Sequence, residues 1–158
     1  MANTDNTCAH LEVPDEFSKS KNTFFDLMSL QKDIQENVYG YNFEQMQAGS
    51  LEDMRKFFDW NYHAIQDELR EVFQALGGTK DGIGSGVWKP WKSTYKKIGE
   101  MKFNEMTPSD LKELKMELID IQHFLFNMML AVGMTPEETY NYYFSKNEEN
   151  RNRQKRGY

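Results

Sequence analysis

The sequence predicts an all-α fold, a helical bundle of four or five main helices, and three observations support this. Apolar residues recur at the three- and four-residue spacing of amphipathic helices through most of the chain. Residues that favour helix starts and helix stops flank these stretches. Neither strand-like alternation nor an internal repeat is visible. Because 158 residues is the size of one ordinary domain, we expect a single domain over residues 1–158.

The first part of the chain divides into an arm and a helix. Residues 1–20 contain Pro14 and few periodic apolar positions, so we expect an irregular N-terminal arm. Residues 23–39 carry apolar side chains at helical spacing, including Phe24, Leu27, Ile34 and Val38. The pattern predicts an amphipathic helix over residues 23–39.

A long helix follows. Ser50 is a suitable N-terminal cap, with Asp53 three residues later, and apolar positions then recur as far as Leu76. Two glycines after Leu76 predict its end. The glycine-rich loop over 77–87 carries neither of the familiar phosphate-loop patterns, so a phosphate loop of those types is not expected.

Two further helices begin with the same device. Thr107-Pro108 predicts the start of a helix that ends near Val132, before Gly133. Thr135-Pro136 predicts the start of a last helix that continues toward Asn152.

Composition limits the classes of function. A net charge of −6 argues against general nucleic-acid affinity, which needs a basic surface. Cys8 is the one cysteine, so no disulfide framework is expected and a reducing compartment is. No apolar run is long enough for a membrane span, and the N-terminus does not resemble a signal peptide. We expect a soluble cytoplasmic protein that binds neither nucleic acid nor membrane.

Two acidic pairs are the first candidates for chemistry. Glu68 and Glu71 on one predicted helix, and Glu117 and Asp120 on another, each place two carboxylates on one helical face. If the helices face each other, four carboxylates converge and favour a hard cation such as Mg²⁺. Five acidic pairs share this spacing, so an exposed or ion-paired face explains it equally well. Only these two pairs interrupt apolar stretches, where an unpartnered charge is costly.

A basic and aromatic patch over 87–95 has two interpretations. Trp88 and Trp91 could seal the core beneath the loop, with Lys89 and Lys92 in solvent. Alternatively, the lysines bind phosphates near a metal site and the aromatic faces stack on a base.

Three more features carry alternatives. The C-terminal tail, residues 146–158, is either a solvated terminus or a binding face. The second alternative arises because Lys146, Asn150 and Arg153 share one side of a helix. His123 completes an Asp-x-x-His motif; di-iron helical proteins need a second copy, so a hydrogen-bonded core histidine is the favoured interpretation. Gln31 and Gln35 lie one helical turn apart, as an exposed helix face would also place them.

Five motifs in order resemble the dimeric dUTPases, which belong to the all-α nucleoside triphosphate pyrophosphohydrolases together with the MazG proteins. The likeness extends to the dCTP/dUTP pyrophosphatases of T-even-type bacteriophages and covers nearly the whole chain. The motifs are Leu30-Gln31-x-x-Ile34-Gln35, Glu68-x-x-Glu71, Trp88-Lys89-Pro90-Trp91-Lys92, Glu117-Leu118-Ile119-Asp120-x-x-His123-Phe124 and Lys146-Asn147-x-x-Asn150-x-x-Arg153-Gln154-x-x-Gly157-Tyr158.

The resemblance implies a MazG-like fold, a homodimer and hydrolysis of dCTP and dUTP at the α–β anhydride, which yields a monophosphate and pyrophosphate. It implies that Glu68, Glu71, Glu117 and Asp120 hold two or three Mg²⁺ ions, and that Glu68 is the general base. It also implies a role in nucleotide-pool control in the cytoplasm of a phage-infected bacterium, with possible association with other nucleotide-synthesis enzymes.

The resemblance further implies two sets of substrate contacts. Those to the phosphates would come from Lys89, Lys92, Lys146, Arg153, Gln154 and Tyr158. Those to the base and sugar would come from Gln31, Gln35, Trp88, His123, Phe124 and Asn150.

One position departs from the dimeric dUTPases. Many of them have Asn where this chain has Gln35, whereas phage enzymes acting on dCTP have Gln. A side-chain amide has a donor end and an acceptor end and can turn over, so it could match uracil or cytosine. We therefore expect use of both dCTP and dUTP. The rivals are a dUTP-only enzyme, a MazG-like enzyme for other triphosphates, a di-iron protein and a non-enzymatic helical interaction module.

Overall fold

The computed structural model describes residues 22–79 and 82–157, and within these ranges the chain is all-α with no strand. Short 3₁₀ turns over Gly84–Gly86, Ser93–Glu100 and Phe103–Glu105 lie between the third and fourth helices. The helices are α1 (Thr23–Asp33), α2 (Phe43–Gln47), α3 (Leu51–Leu76), α4 (Pro108–Ala131) and α5 (Pro136–Lys155). The predicted fold class is therefore confirmed. The N-terminal arm, expected over residues 1–20, lies outside the described residues.

The first helix differs from the prediction in its second half. The Asn22 side chain accepts a hydrogen bond from the Phe25 backbone amide at 3.1 Å and caps α1. The sequence predicts one helix over 23–39, but α1 ends at Asp33 and a π-helical turn follows over Ile34–Val38. π-helical turns are rare and occur frequently at functional sites. Apolar periodicity alone does not distinguish such a turn from an α-helix.

A short helix absent from the prediction supplies part of the core. The aromatic ring of Phe43, at the start of α2, lies edge-to-face with Phe57 at 6.2 Å. The ring of Tyr41 also contacts the Phe57 ring, with 5.1 Å between their centroids, and Ala131 is buried in the same cluster. Five residues are too few for a periodic apolar pattern, which explains why the sequence did not indicate α2.

The long helix α3 begins and ends as predicted. The Asp53 backbone amide donates to Ser50 Oγ at 3.1 Å, and Ser50 Oγ donates to the Asp53 carboxylate at 2.7 Å. After Leu76 the chain leaves the helix through Gly77 and Gly78, and Gly78 has a φ of +66°. A glycine adopts that backbone conformation without the strain that a Cβ would add.

The glycine-rich loop is closely packed where the structure describes it. Gly84 is buried, and its backbone amide donates to Gly78 O at 3.0 Å. A Cβ on Gly77 would stand 2.7 Å from Gly84 N, and a Cβ on Gly84 would stand 2.6 Å from Gly78 O. The glycines therefore allow two backbone segments to approach each other more closely than any side chain would permit.

This contact gives a stability prediction. Gly84→Ala should lower the free energy of unfolding by about 1–3 kcal/mol, because the new methyl group would clash with Gly78 O and with the backbone of Gln74. Gly99→Ala is the matched control, since no atom of the described residues lies within 4 Å of a Cβ there, and it should change stability by less than ~0.5 kcal/mol. Urea unfolding measures both. Equal midpoints for the two variants would contradict the packing argument.

The last two helices follow their predicted signals. The Asp110 backbone amide donates to Thr107 Oγ1 at 3.1 Å at the start of α4. At α5, Thr135 and Glu138 form a reciprocal capping box with two bonds of 3.1 Å. α5 continues to Lys155, three residues beyond the predicted Asn152.

The described residues group into two compact units. The first comprises residues 59–79 and 82–125, and the second comprises residues 22–58 and 126–157. The prediction of one domain over residues 1–158 stays a prediction. Within the described ranges no single helix has the length and apolarity to cross a membrane, although α4 and α5 together form one bent pair that meets this test by length and composition.

Candidate active site

The first unit brings three of the four predicted carboxylates together. Glu68, Glu71 and Glu117 each offer one oxygen, and these oxygens all lie within 4.8 Å of one another. Glu68 and Glu71 are one turn apart on α3, and Glu117 lies on α4. Glu117 is only 4% exposed. A buried carboxylate without a cationic partner is costly, so this arrangement can hold a divalent metal ion.

The electrostatics of the cluster favour protonation. Burial, the charge of Glu71 and a hydrogen bond with Glu113 raise the pKa of Glu117 to about 8. Burial, followed by the charges of Asp120 and Glu71, raises the pKa of Glu68. These shifts follow because desolvation and like charges both disfavour the ionised form. The three carboxylates therefore repel each other unless protons or cations compensate them.

Asp120 stands apart from this set of three. Its Oδ1 lies 3.5 Å from Nδ1 of His123, although its charge still reaches Glu68. Burial raises the pKa of Asp120, and His123 opposes that shift. Its role as a metal ligand stays a prediction. The core interpretation of His123 is wrong, because the side chain is half exposed and faces Asp120.

The apolar setting of the second acidic pair is less buried than its sequence indicates. Glu117 is buried, but Leu118, Ile119 and Leu125 on the same helix are exposed by more than two-fifths. An apolar run on a helix points in all directions, so sequence alone cannot say which side is covered.

A cavity of about 350 Å³ lies beside the carboxylates. Glu71, Glu113 and Glu117 line one part, and the glycine-rich loop lines another. Glu113 Oε2 is buried and has no hydrogen-bond partner among the described residues. Glu113 was not predicted as a site residue. Its i,i+4 relation to Glu117 was the available signal.

Asp110 fastens the loop to the start of α4 at this cavity. Its Oδ1 accepts from the backbone amide of Thr79 at 3.1 Å and from Thr79 Oγ1 at 3.0 Å. Its Oδ2 accepts from Thr107 Oγ1 at 2.8 Å. Asp110 is buried and positions one wall of the cavity. This acidic residue belongs to one of the three pairs that the sequence analysis set aside.

Phe124 and the basic and aromatic patch also lie in the first unit. Phe124 contacts Trp60 edge-to-face at 5.9 Å, and Trp60 was not predicted. Trp88 and Trp91 pack edge-to-face at 6.0 Å, with the Lys89 ammonium 4.6 Å from the Trp88 ring. Trp91 is 71% exposed, so the core-sealing interpretation is wrong for it. Lys92 is exposed as well.

The tail residues lie on α5 in the second unit. Lys146, Asn150 and Gln154 are exposed, which leaves them accessible to a ligand. Arg153 is half-buried, and its Nε lies 3.2 Å from Glu149 Oε1. Tyr158 lies outside the described residues, so its predicted phosphate contact stays a prediction.

The two glutamines are buried, so an exposed helix face does not explain them. Gln31 Nε2 donates to Asn127 Oδ1 at 2.7 Å, and both side chains are more than nine-tenths buried. Gln35, in the π-helical turn, is 4% exposed, and its Oε1 has no hydrogen-bond partner within the described ranges. Buried amides usually have all their polar atoms satisfied, so Gln35 Oε1 can accept a hydrogen bond from a ligand or a water molecule.

Comparison with known proteins identifies the relatives of this chain. It is 33% identical to the dCTP pyrophosphatase of Enterobacteria phage T4, over 97% of this chain and 98% of that protein. The chain belongs to the phage dCTP pyrophosphatase family. A second member, the dCTP pyrophosphatase of Enterobacteria phage LZ5, is 46% identical over 60% of this chain and 56% of its own length. No family model and no solved structure match the chain.

A third relative has a different description. The DNA replication protein of Enterobacteria phage T4 is 32% identical over 90% of this chain, which spans 40% of that protein. The resemblance to phage pyrophosphatases, reached from five ordered motifs, is confirmed by the two dCTP pyrophosphatases.

Asn127 was missed by the sequence analysis, although a signal was present. It is a polar residue inside the apolar run from Phe124 to Leu130, the same kind of interruption that selected Glu117. An amide in such a run is a weaker indication of a functional site than a carboxylate, because burial of an amide costs less free energy than burial of a charge.

Proposed function

We propose that this protein is a Mg²⁺-dependent pyrophosphohydrolase that converts dCTP and dUTP, with water, to dCMP or dUMP and pyrophosphate. The close approach of Glu68, Glu71 and Glu117 carries the proposal. Membership of the phage dCTP pyrophosphatase family supports the reaction and the use of dCTP. Use of dUTP rests on the resemblance to the dimeric dUTPases.

The carboxylates suit a hard divalent cation. Mg²⁺ prefers oxygen ligands, and one carboxylate oxygen from each of Glu68, Glu71 and Glu117 lies within 4.8 Å of the other two, so these residues would hold the ion. Asp120 would complete the set, and two or three ions would be held. Bound Mg²⁺ would neutralise the triphosphate and favour ionisation of water.

The chain itself would supply the proton transfer. Glu68 would accept the proton of the attacking water, because burial and neighbouring charge raise the pKa of its carboxylate toward the working range of a general base. Water would add to the phosphorus at the α–β anhydride, and the bond to pyrophosphate would break. Glu71 and Glu117 would help to hold the cation beside Glu68.

Cationic and polar side chains would bind the phosphates. Lys89 and Lys92 lie in the unit that holds the carboxylates; Lys92 is exposed and Lys89 is partly exposed. Phosphoryl transfer depends mainly on positioning and on charge stabilisation, which such residues provide. The remaining proposed phosphate ligands are Lys146, Arg153, Gln154 and Tyr158.

Base and sugar would contact amide and aromatic groups. Gln31 and Gln35 would read the pyrimidine edge, since each amide offers both a donor and an acceptor. Phe124 would pack against the 2′-deoxy sugar, and its edge-to-face contact with Trp60 fixes the ring that would do so. The other proposed contacts are Trp88, His123 and Asn150.

We further propose a homodimer that acts in the cytoplasm of a phage-infected bacterium, with possible association with other nucleotide-synthesis enzymes. Apolar side chains remain highly exposed on the second unit: Val38 and Tyr140 are each 70% exposed, and Tyr143 is 74% exposed. Where such side chains form one contiguous patch, the patch commonly marks an association surface. Light scattering of the purified chain would give twice the monomer mass.

Product analysis tests the reaction. With Mg²⁺, the protein should release equal amounts of dCMP and pyrophosphate from dCTP, and dUMP and pyrophosphate from dUTP, as resolved by ion-exchange chromatography. All other deoxy and ribo triphosphates and hydroxymethylated dCTP form the comparison panel. Release of orthophosphate and a diphosphate, or turnover of purine triphosphates alone, would contradict the proposal. If the protein hydrolysed dCTP but not dUTP, only the proposed use of both substrates would be contradicted.

A further inference from the structure

Three buried amides lie in the second unit, and their hydrogen bonding is asymmetric. Gln31 Nε2 donates to Asn127 Oδ1 at 2.7 Å, which leaves Gln31 Oε1 as the open end of that amide among the described residues. Gln35, four residues further on, also has its Oε1 open. Two carbonyl oxygens, both hydrogen-bond acceptors, are therefore available at positions one helical turn apart.

Two acceptors distinguish the pyrimidines. The exocyclic N4 amino group of cytosine carries two hydrogens and can donate to both oxygens, whereas uracil presents the acceptor O4 at the same place. An acceptor that faces O4 repels it, and a buried polar group without a partner is costly. This orientation of the two amides thus favours cytosine.

Asn127 constrains the alternative orientation. For uracil, Gln31 would have to turn over so that Nε2 faces O4. Its Oε1 would then face Asn127 Oδ1, unless the amide of Asn127 turned over as well and donated from Nδ2. Two buried side chains would have to move together. We infer that Asn127 is a positioning residue that fixes the Gln31 amide and makes the site prefer dCTP over dUTP.

The inference rests on the proposed function, because it assumes that Gln31 and Gln35 read the base. Beyond the proposed function, it assigns a positioning role to Asn127, which touches no substrate, and it states which of the two pyrimidine nucleotides is preferred. The unaltered protein should have a higher kcat/KM for dCTP than for dUTP.

Substitution of Asn127 tests it. Asn127→Leu, which keeps the branching and the number of side-chain heavy atoms, removes both hydrogen-bonding ends and should lower the dCTP-to-dUTP ratio of kcat/KM about tenfold. The same ratio should fall for equilibrium binding of the non-hydrolysable α,β-imido analogues, measured by calorimetry. Asn127→Asp offers acceptors only, so it should keep Gln31 Nε2 turned toward it and retain the ratio. Where Asn127→Leu fails to fold, Asn127→Ser should lower the ratio in its place.

Phe43→Leu is the matched control for lost stability. Phe43 is buried in the core of the same unit and its side chain has no hydrogen-bonding group, so its substitution should weaken folding without moving the ratio. An unchanged ratio in Asn127→Leu, or an equal fall in Asn127→Asp, would overturn the inference alone. Failure of the unaltered protein to bind either analogue would overturn the proposed function, and the inference with it.

Discussion

Glu117→Gln is expected to reduce turnover of dCTP by at least about 1000-fold, equivalent to about 4 kcal/mol of transition-state stabilisation. The same substitution should raise the melting temperature of the metal-free protein. Glutamine preserves the size of the side chain but removes a buried carboxylate that Glu71 and Glu113 surround. Initial rates with Mg²⁺ and thermal unfolding in EDTA at about pH 8.5 would measure the two effects.

A loss of activity together with a gain in stability distinguishes this result from a general disruption of packing. A substitution that only disturbed packing would lower both activity and stability. Glu100→Gln is the matched control, because Glu100 is exposed at the end of a 3₁₀ turn, and it should change neither quantity appreciably. Wild-type activity in Glu117→Gln would remove the metal site from the proposal. An interaction module with decorative acidic pairs would show no effect on either measurement.

Helix boundaries were predictable because their signals are local. Ser50, Pro108 and Pro136 lie at helix starts where a cap or a fixed φ acts within one turn, and the structure places α3, α4 and α5 accordingly. The π-helical turn around Gln35 was not predictable, since it adds a residue to the turn without changing the apolar pattern.

Burial of particular polar residues was harder to predict. The apolar neighbours of Glu117 in the sequence correctly indicated its burial, and a charged residue is rarely buried unless it has a partner. Gln31 and Gln35 gave no such signal, since amides are common on exposed helices. The hydrogen-bond partner of Gln31 is Asn127, which lies 96 residues away in the sequence. Spacing within one helix cannot indicate such a partner.

Mg²⁺ should oppose the pH dependence of stability that we expect of the metal-free protein. In the metal-free protein the pKa of Glu117 is about 8 in the folded state, against 4.5 for an unperturbed carboxyl. The folded state therefore binds more protons than the unfolded state between these values, and the free energy of unfolding falls as pH rises through this window. A change of one in pKa corresponds to about 1.4 kcal/mol, so the difference between 4.5 and about 8 corresponds to a total loss on the order of 5 kcal/mol.

We expect Mg²⁺ to bind the ionised carboxylates, so its stabilising effect should grow over the same window as protons cease to compete. Melting temperatures in EDTA should decline from about pH 5 to 8.5, while the increase produced by Mg²⁺ becomes larger. Glu117→Gln is the control, because it removes the group with the largest pKa shift and should flatten the metal-free decline. A decline of equal slope in Glu117→Gln would mean that other groups cause it. A Mg²⁺ effect independent of pH would contradict binding by these carboxylates.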